Sequence, residues 1–136
     1  MVRKAPFSVI FILSVCVCLQ AAVSCTNYGE QKTFNGTQVF YTSEVTMSDV
    51  DKLGNFLVDT GFADGGQKSV QLNKKGNTYE FRMVVKKGIE NDQEYRELGK
   101  LFAAQISEYV FGGANVDTHY CDEKFNTLIV LPMAGN

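Results

Sequence analysis

Between Ser69 and Val85 the chain alternates in character on both sides of a short turn, and this alternation limits the available folds more than any other feature. Ser69–Asn73 and Thr78–Val85 flank Lys74-Lys75-Gly76-Asn77, the pattern of a β-hairpin. Successive side chains on a strand point to opposite faces, so Val70, Leu72, Tyr79, Phe81, Met83 and Val85 share one face. Ser69, Gln71, Glu80 and Arg82 share the other. A sheet with one apolar face needs a second layer to cover it.

Two helical segments supply that layer. Thr46 with Asp49 reads as a capping box, and Met47, Val50, Leu53 and Leu57 recur at helical spacing up to Gly61, which predicts a helix over Met47–Thr60. Asn91 with Glu94 opens a second helix in the same way, with an apolar stripe of Tyr95, Leu98, Phe102, Ile106, Tyr109 and Val110 and a stop at Gly112-Gly113. Gln38–Thr42, just after the Asn35-Gly36 turn signal, reads as a strand. Val116–Cys121 and Thr127–Leu131 read as two more, around the turn Asp122–Asn126. The order is β-α-β-β-α-β-β, which predicts an α+β two-layer sandwich with a mainly antiparallel sheet and both helices on one face. Leu98, Phe102 and Ile106 are then expected against the sheet, and Tyr79, Phe81, Tyr95, Phe102 and Tyr109 in the core. The second sheet face is expected to carry Gln71, Glu80, Arg82, Asp117 and His119, with Phe40 beside them. Gln71, Glu80, Arg82 and His119 project there as an exposed candidate binding face.

The amino terminus stands apart from this pattern. Arg3 and Lys4 precede the apolar stretch Phe7–Leu19, and the small residues Ala21, Ala22 and Ser24 follow, the order of a secretory signal. That stretch is shorter than the roughly 20 residues a bilayer-spanning helix needs. The expected division is a signal peptide at 1–24, a polar tether at 25–33 and a single α+β domain at 34–136. Removing residues 1–24 from the 136 leaves 112, the size of one domain with one core. Arg3 and Lys4 are lost from the 13 basic residues while the 15 acidic ones remain, so 11 face 15 and the net charge is −4. That balance, with no basic cluster interleaved with aromatics, argues against nucleic acid as a partner.

The Ser24-Cys25 junction resembles the bacterial lipobox, with Ala22 where that pattern prefers Leu. The resemblance implies a lipid on Cys25, removal of the leader before it, and anchoring to a membrane. The other reading joins Cys25 to Cys121, the two cysteines left after processing, in a disulfide of a freely secreted protein. A lipid on Cys25 excludes that bridge.

Candidate chemistry centres on His119, the only histidine, which alternation places on the same strand face as Asp117 and Cys121. A Cys-His pair is the raw material of a thiol nucleophile, and His, Cys and Asp can all ligate zinc. Residues two apart on a strand are about 6 to 7 Å apart at the backbone, long for a nucleophile and its base. The chain has no Cys-x-x-Cys and no His-Glu-x-x-His, so no metal site and no cofactor are expected. Asp49, Asp51, Glu90, Asp92 and Glu94 gather at helix starts, where they offset the helix dipole.

The blocks Gly36-Thr37 with Tyr41-Thr42, Lys68–Leu72, Tyr79–Lys86 and His119–Asp122 resemble an uncharacterised family of small bacterial exported and membrane-attached domains. The resemblance implies a bacterial source and a shape, without an activity. These readings predict an exported, lipid-anchored domain of the cell envelope that binds a partner or envelope component without catalysing a reaction. The alternative is an enzyme or thiol-dependent protein built on Cys121 and His119.

Overall fold

The structure, a computed structural model, describes residues 28–135; the expected leader at 1–24 and the expected lipid site Cys25 lie outside the described residues. Its elements are β1 (Glu30–Phe34), β2 (Thr37–Tyr41), α1 (Met47–Asp59), β3 (Lys68–Lys75), β4 (Thr78–Val84), α2 (Gln93–Tyr109), β5 (Asn115–Cys121) and β6 (Thr127–Pro132), with a 3-10 turn at Ile89–Asn91 ahead of α2. One six-stranded sheet holds the strands in chain order. The hairpins β1-β2, β3-β4 and β5-β6 are antiparallel. Between them, β2-β3 and β4-β5 are parallel, because α1 and α2 each return the chain across the sheet before the next strand starts. This is the expected α+β arrangement with one strand more.

The additional strand is β1. Residues 30–33, expected as tether, pair with Gln38–Tyr41. Asn35 and Gly36 take φ of 44° and 87°, the double left-handed turn that Asn-Gly favours between hairpin strands. The turn signal was therefore legible, but its first arm was not. Glu30-Gln31-Lys32-Thr33 is exposed and polar as an edge strand should be, and its one apolar neighbour, Phe34, packs against α1 at Gly54.

The core lies between the helices and the face built from Val39, Val70, Leu72, Phe81 and Val116, all essentially inaccessible. Helix α1 starts at the expected Thr46–Asp49 capping box and buries Val50, Leu53 and Leu57. Helix α2 is capped by Asp92 instead of Asn91, its carboxylate accepting from the amides of Glu94 and Tyr95. Its buried face also differs from the expected stripe. Gly99, Ala103, Ile106 and Ser107 meet the sheet, while Tyr95, Leu98 and Tyr109 are 44%, 56% and 70% exposed and Phe102 is half-buried.

The cause is a ridge of small residues. Gly99, Ala103 and Ser107 recur every fourth position, which lets the helix backbone approach β5 and β6 closely. A Cβ on Gly99 would lie 2.5 Å from the Leu131 side chain and 2.7 Å from the Tyr120 hydroxyl. Thr118 Oγ1 donates to the Gly99 carbonyl at 2.9 Å, and the Tyr120 hydroxyl donates to the Tyr95 carbonyl. The helix thus rests on its smallest side chains, and the large ones flank the contact.

Candidate functional site

The helix-free face of the sheet collects the polar residues singled out from the sequence. One rung of neighbouring strands runs Gln31, Phe40, Gln71, Arg82, His119 and Val130 from edge to edge. The next places Glu80 between Asn73 and Asp117. Strand alternation therefore brings Gln71, Glu80, Arg82 and His119 together on the side away from the helices, as expected.

Their exposure departs from expectation. His119 is 6% exposed, and Gln71, Glu80 and Arg82 are half-buried. Two segments outside the strands and the two α-helices lie over them. Tyr28, ahead of β1, crosses the face, and Phe125, at φ 59° in the β5-β6 turn, folds back from the other side. Their rings meet Phe40 in an edge-to-face trio, with centroids 5.7 Å apart for Tyr28–Phe40, 5.2 Å for Tyr28–Phe125 and 5.8 Å for Phe40–Phe125. The sequence carried no periodic signal for this cover, because each contact is made by a single ring outside the strands and α-helices.

Arg82 is the hub beneath it. Its Nε donates to Gln71 Oε1 at 2.9 Å, and one Nη donates to the Phe125 carbonyl. The other Nη reaches Thr127 Oγ1 and His119 Nδ1, each at 3.0 Å. Gln71 in turn donates its amide to the Tyr28 carbonyl at 2.8 Å. Arginine and glutamine thus fasten both covering segments to the sheet.

A guanidinium can only donate, so His119 Nδ1 is the acceptor and the network assigns the ring proton to Nε2. That nitrogen faces Glu80 Oε2 at 3.6 Å, too far for a hydrogen bond, and it is buried without a hydrogen-bond partner. Glu80 is itself held by Asn73 at 2.9 Å, and Asn73 by Thr42 at 2.6 Å. Burial pushes the His119 pKa below its ordinary value; Glu80 works against the shift and Arg82 adds to it. The neutral imidazole that the hydrogen bonds require is also the form that burial favours.

Cys121 is fully buried at the end of β5. Burial raises its thiol pKa, with Arg82 and Thr127 opposing the shift. The thiol lies 3.7 Å from the carbonyl of His119, and the imidazole is engaged by Arg82 and Thr127. No bond joins thiol to imidazole among the described residues. Also among the described residues, no group of three or more His, Cys, Asp or Glu side chains could hold a metal ion, and no helix is long and apolar enough to cross a membrane.

The arrangement can fix an irregular cover in place over a sheet. Gln71, Arg82 and His119, from three strands, converge on Tyr28, Phe125 and Thr127, and every nitrogen of the Arg82 guanidinium has an acceptor. Comparison with curated proteins and with solved structures finds no match. A family model described as AF_1994_N, family N-terminal domain, matches residues 31–132, from β1 to the end of β6. The match spans most of the chain and all of the sheet, so the protein belongs to the AF_1994_N family N-terminal domain.

Proposed function

We propose that this protein is an exported bacterial envelope domain, held to a membrane by a lipid on Cys25, that works by binding and not by catalysis. The reading is supported by Arg3-Lys4, the apolar stretch Phe7–Leu19 and the small residues Ala22 and Ser24 ahead of Cys25. The observation that carries it is the docking of Tyr28 on the helix-free face. Cys25 precedes Tyr28 by three residues, and three residues extend at most about 11 Å. A lipid there keeps the helix-free face close to the bilayer, on a much shorter leash than a tether running to residue 33.

Gln71, Glu80, Arg82 and His119 act in this reading as the framework that holds Tyr28 and Phe125 in position, and the partner meets the surface they support. Mass spectrometry of the mature protein tests the anchor. A lipid-modified amino-terminal Cys25, with release from membranes or blocked processing in Cys25→Ser, is the expected result. An unmodified amino terminus at Cys25 or beyond overturns it. The binding role is tested by Phe125→Ala, which should reduce recovery of an envelope partner while Cys121→Ser leaves it unchanged.

A further inference from the structure

The two edges of the sheet are built differently. Strand β1 is charged and exposed, with Glu30 and Lys32 at the rim and Lys32 paired to Asp51 at 2.6 Å. Such charges are a common guard against edge-to-edge pairing. Strand β6 reads Thr-Leu-Ile-Val-Leu-Pro and carries no charge, and Leu128 and Val130 are 42% and 45% exposed. Its pairing is with β5, and among the described residues its other side has no strand.

The backbone direction at this edge follows from one hydrogen bond. Met133 donates its amide to the Val116 carbonyl at 3.2 Å. In an antiparallel pair, residues facing the partner alternate with residues facing away. Leu131 and Ile129 therefore bond to β5, and both backbone groups of Val130 point outward. A register shift between Tyr120 and Cys121 and the N–H-less Pro132 bracket the stretch, leaving Ile129–Leu131 as an aliphatic edge.

We infer that β6 is the interface with a second copy of this chain, paired antiparallel about a two-fold axis that sets Val130 opposite the second copy's Val130. Self-pairing suits this strand because a two-fold sets the sequence against its own reverse: Ile129 meets Leu131 on the helix side, and Leu128 approaches Pro132 on the other. No like charges meet. The same operation on β1 about its centre would oppose Lys32 to Lys32, which is unfavourable. A two-fold between antiparallel strands stands perpendicular to the sheet, so both helix-free faces lie on one side. Where the proposed anchoring holds, both Cys25 residues then reach one bilayer, but the pairing itself does not depend on it.

The test uses the full processed chain, kept in detergent where lipid is attached, with mass measured by light scattering over a concentration series and amide exchange read at Val130. The expected result is a dimer with a slowly exchanging Val130 amide, and conversion by Val130→Lys to a folded monomer. If Val130→Lys does not fold, the parent's Val130 amide still decides the matter, being slow in the dimer and faster on dilution to monomer. A parent that stays monomeric, with Val130 fast or slow, overturns the inference. So does a dimer in which the Val130 amide exchanges freely or that survives Val130→Lys.

Discussion

The two faces of the sheet are covered by different physics. On the helix side Val39, Val70, Leu72, Phe81 and Val116 are sealed by apolar side chains from α1, α2 and the loops. On the other side Gln71, Arg82 and His119 are joined by directed bonds beneath Tyr28 and Phe125, with Glu80 held beside them by Asn73. Apolar burial is worth roughly 25 cal/mol per Å² and has little directionality. A hydrogen bond contributes only about 1 kcal/mol net, yet an orphaned buried partner costs about 1 to 3 kcal/mol. The helix face should therefore respond to volume and the helix-free face to donor and acceptor pattern.

The largest effect expected from breaking either face is on the helix side. Phe81, fully buried against Phe62 and Phe102, should cost about 3 to 5 kcal/mol as Phe81→Ala. Leu72→Met, which keeps volume, should cost less than about 1.5 kcal/mol. Chemical denaturation measures both, and equal losses would mean that volume does not govern this face.

Arg82→Met comes next. It keeps much of the side-chain bulk but leaves Gln71 Oε1 and the Phe125 carbonyl without their donor and His119 Nδ1 with the Thr127 hydroxyl alone, for about 2 to 3 kcal/mol. An exposed strand pair contributes no more than about 1 kcal/mol; the partial burial of Arg82 raises that expectation. If Arg82→Met melts like the parent, the cover is held by its aromatic rings alone.

A smaller effect concerns one proton. The His119 pKa is lowered in the fold chiefly by burial, so the unfolded chain binds the proton first as pH falls. The stability gained from the neutral ring is full above about pH 6.5, the unfolded value. It is lost as pH falls through the lower folded value. Melting curves from pH 8 to 4.5 should show this acid loss in the parent and a shallower one in His119→Gln. Parallel profiles would remove His119 as the acid-sensitive group of this face.

The smallest effect sharpens the comparison by its absence. Leu98 is more than half exposed, so Leu98→Ala should change stability by no more than about 0.5 kcal/mol. Gly99→Ala, one residue away on the ridge against Leu131 and Tyr120, should cost clearly more. Reversal of that order would return the helix to the orientation its hydrophobic pattern suggests.

Those adjacent residues mark where the sequence was legible and where it was not. The alternation through Val70, Leu72, Tyr79 and Phe81 identified the sheet and its core face, and the Thr46–Asp49 box identified the start of α1. For α2 the large apolar residues suggested a stripe running from Tyr95 through Leu98 and Phe102 to Val110, whereas the helix turned to bring Gly99, Ala103 and Ser107 onto β5. Hydrophobic periodicity weighs residues by size and polarity, and it cannot see that a small residue is valuable for the close approach it permits. The strand β1 escaped for a related reason, since an edge strand with polar side chains has no alternation to detect.

The sequence by itself determined the element types apart from β1, the α+β class and the residues that share the helix-free face, because these follow from backbone geometry and the spacing of apolar residues along the chain. It also placed Gln71, Glu80, Arg82 and His119 together. Only the tertiary structure decided that these four are covered and not open, and that His119 accepts from Arg82. The cover depends on Tyr28 and Phe125, 43 residues before Gln71 and 43 after Arg82. Contacts at that separation leave no periodic trace, since they are set by where the folded sheet delivers each segment and not by its neighbours in the chain.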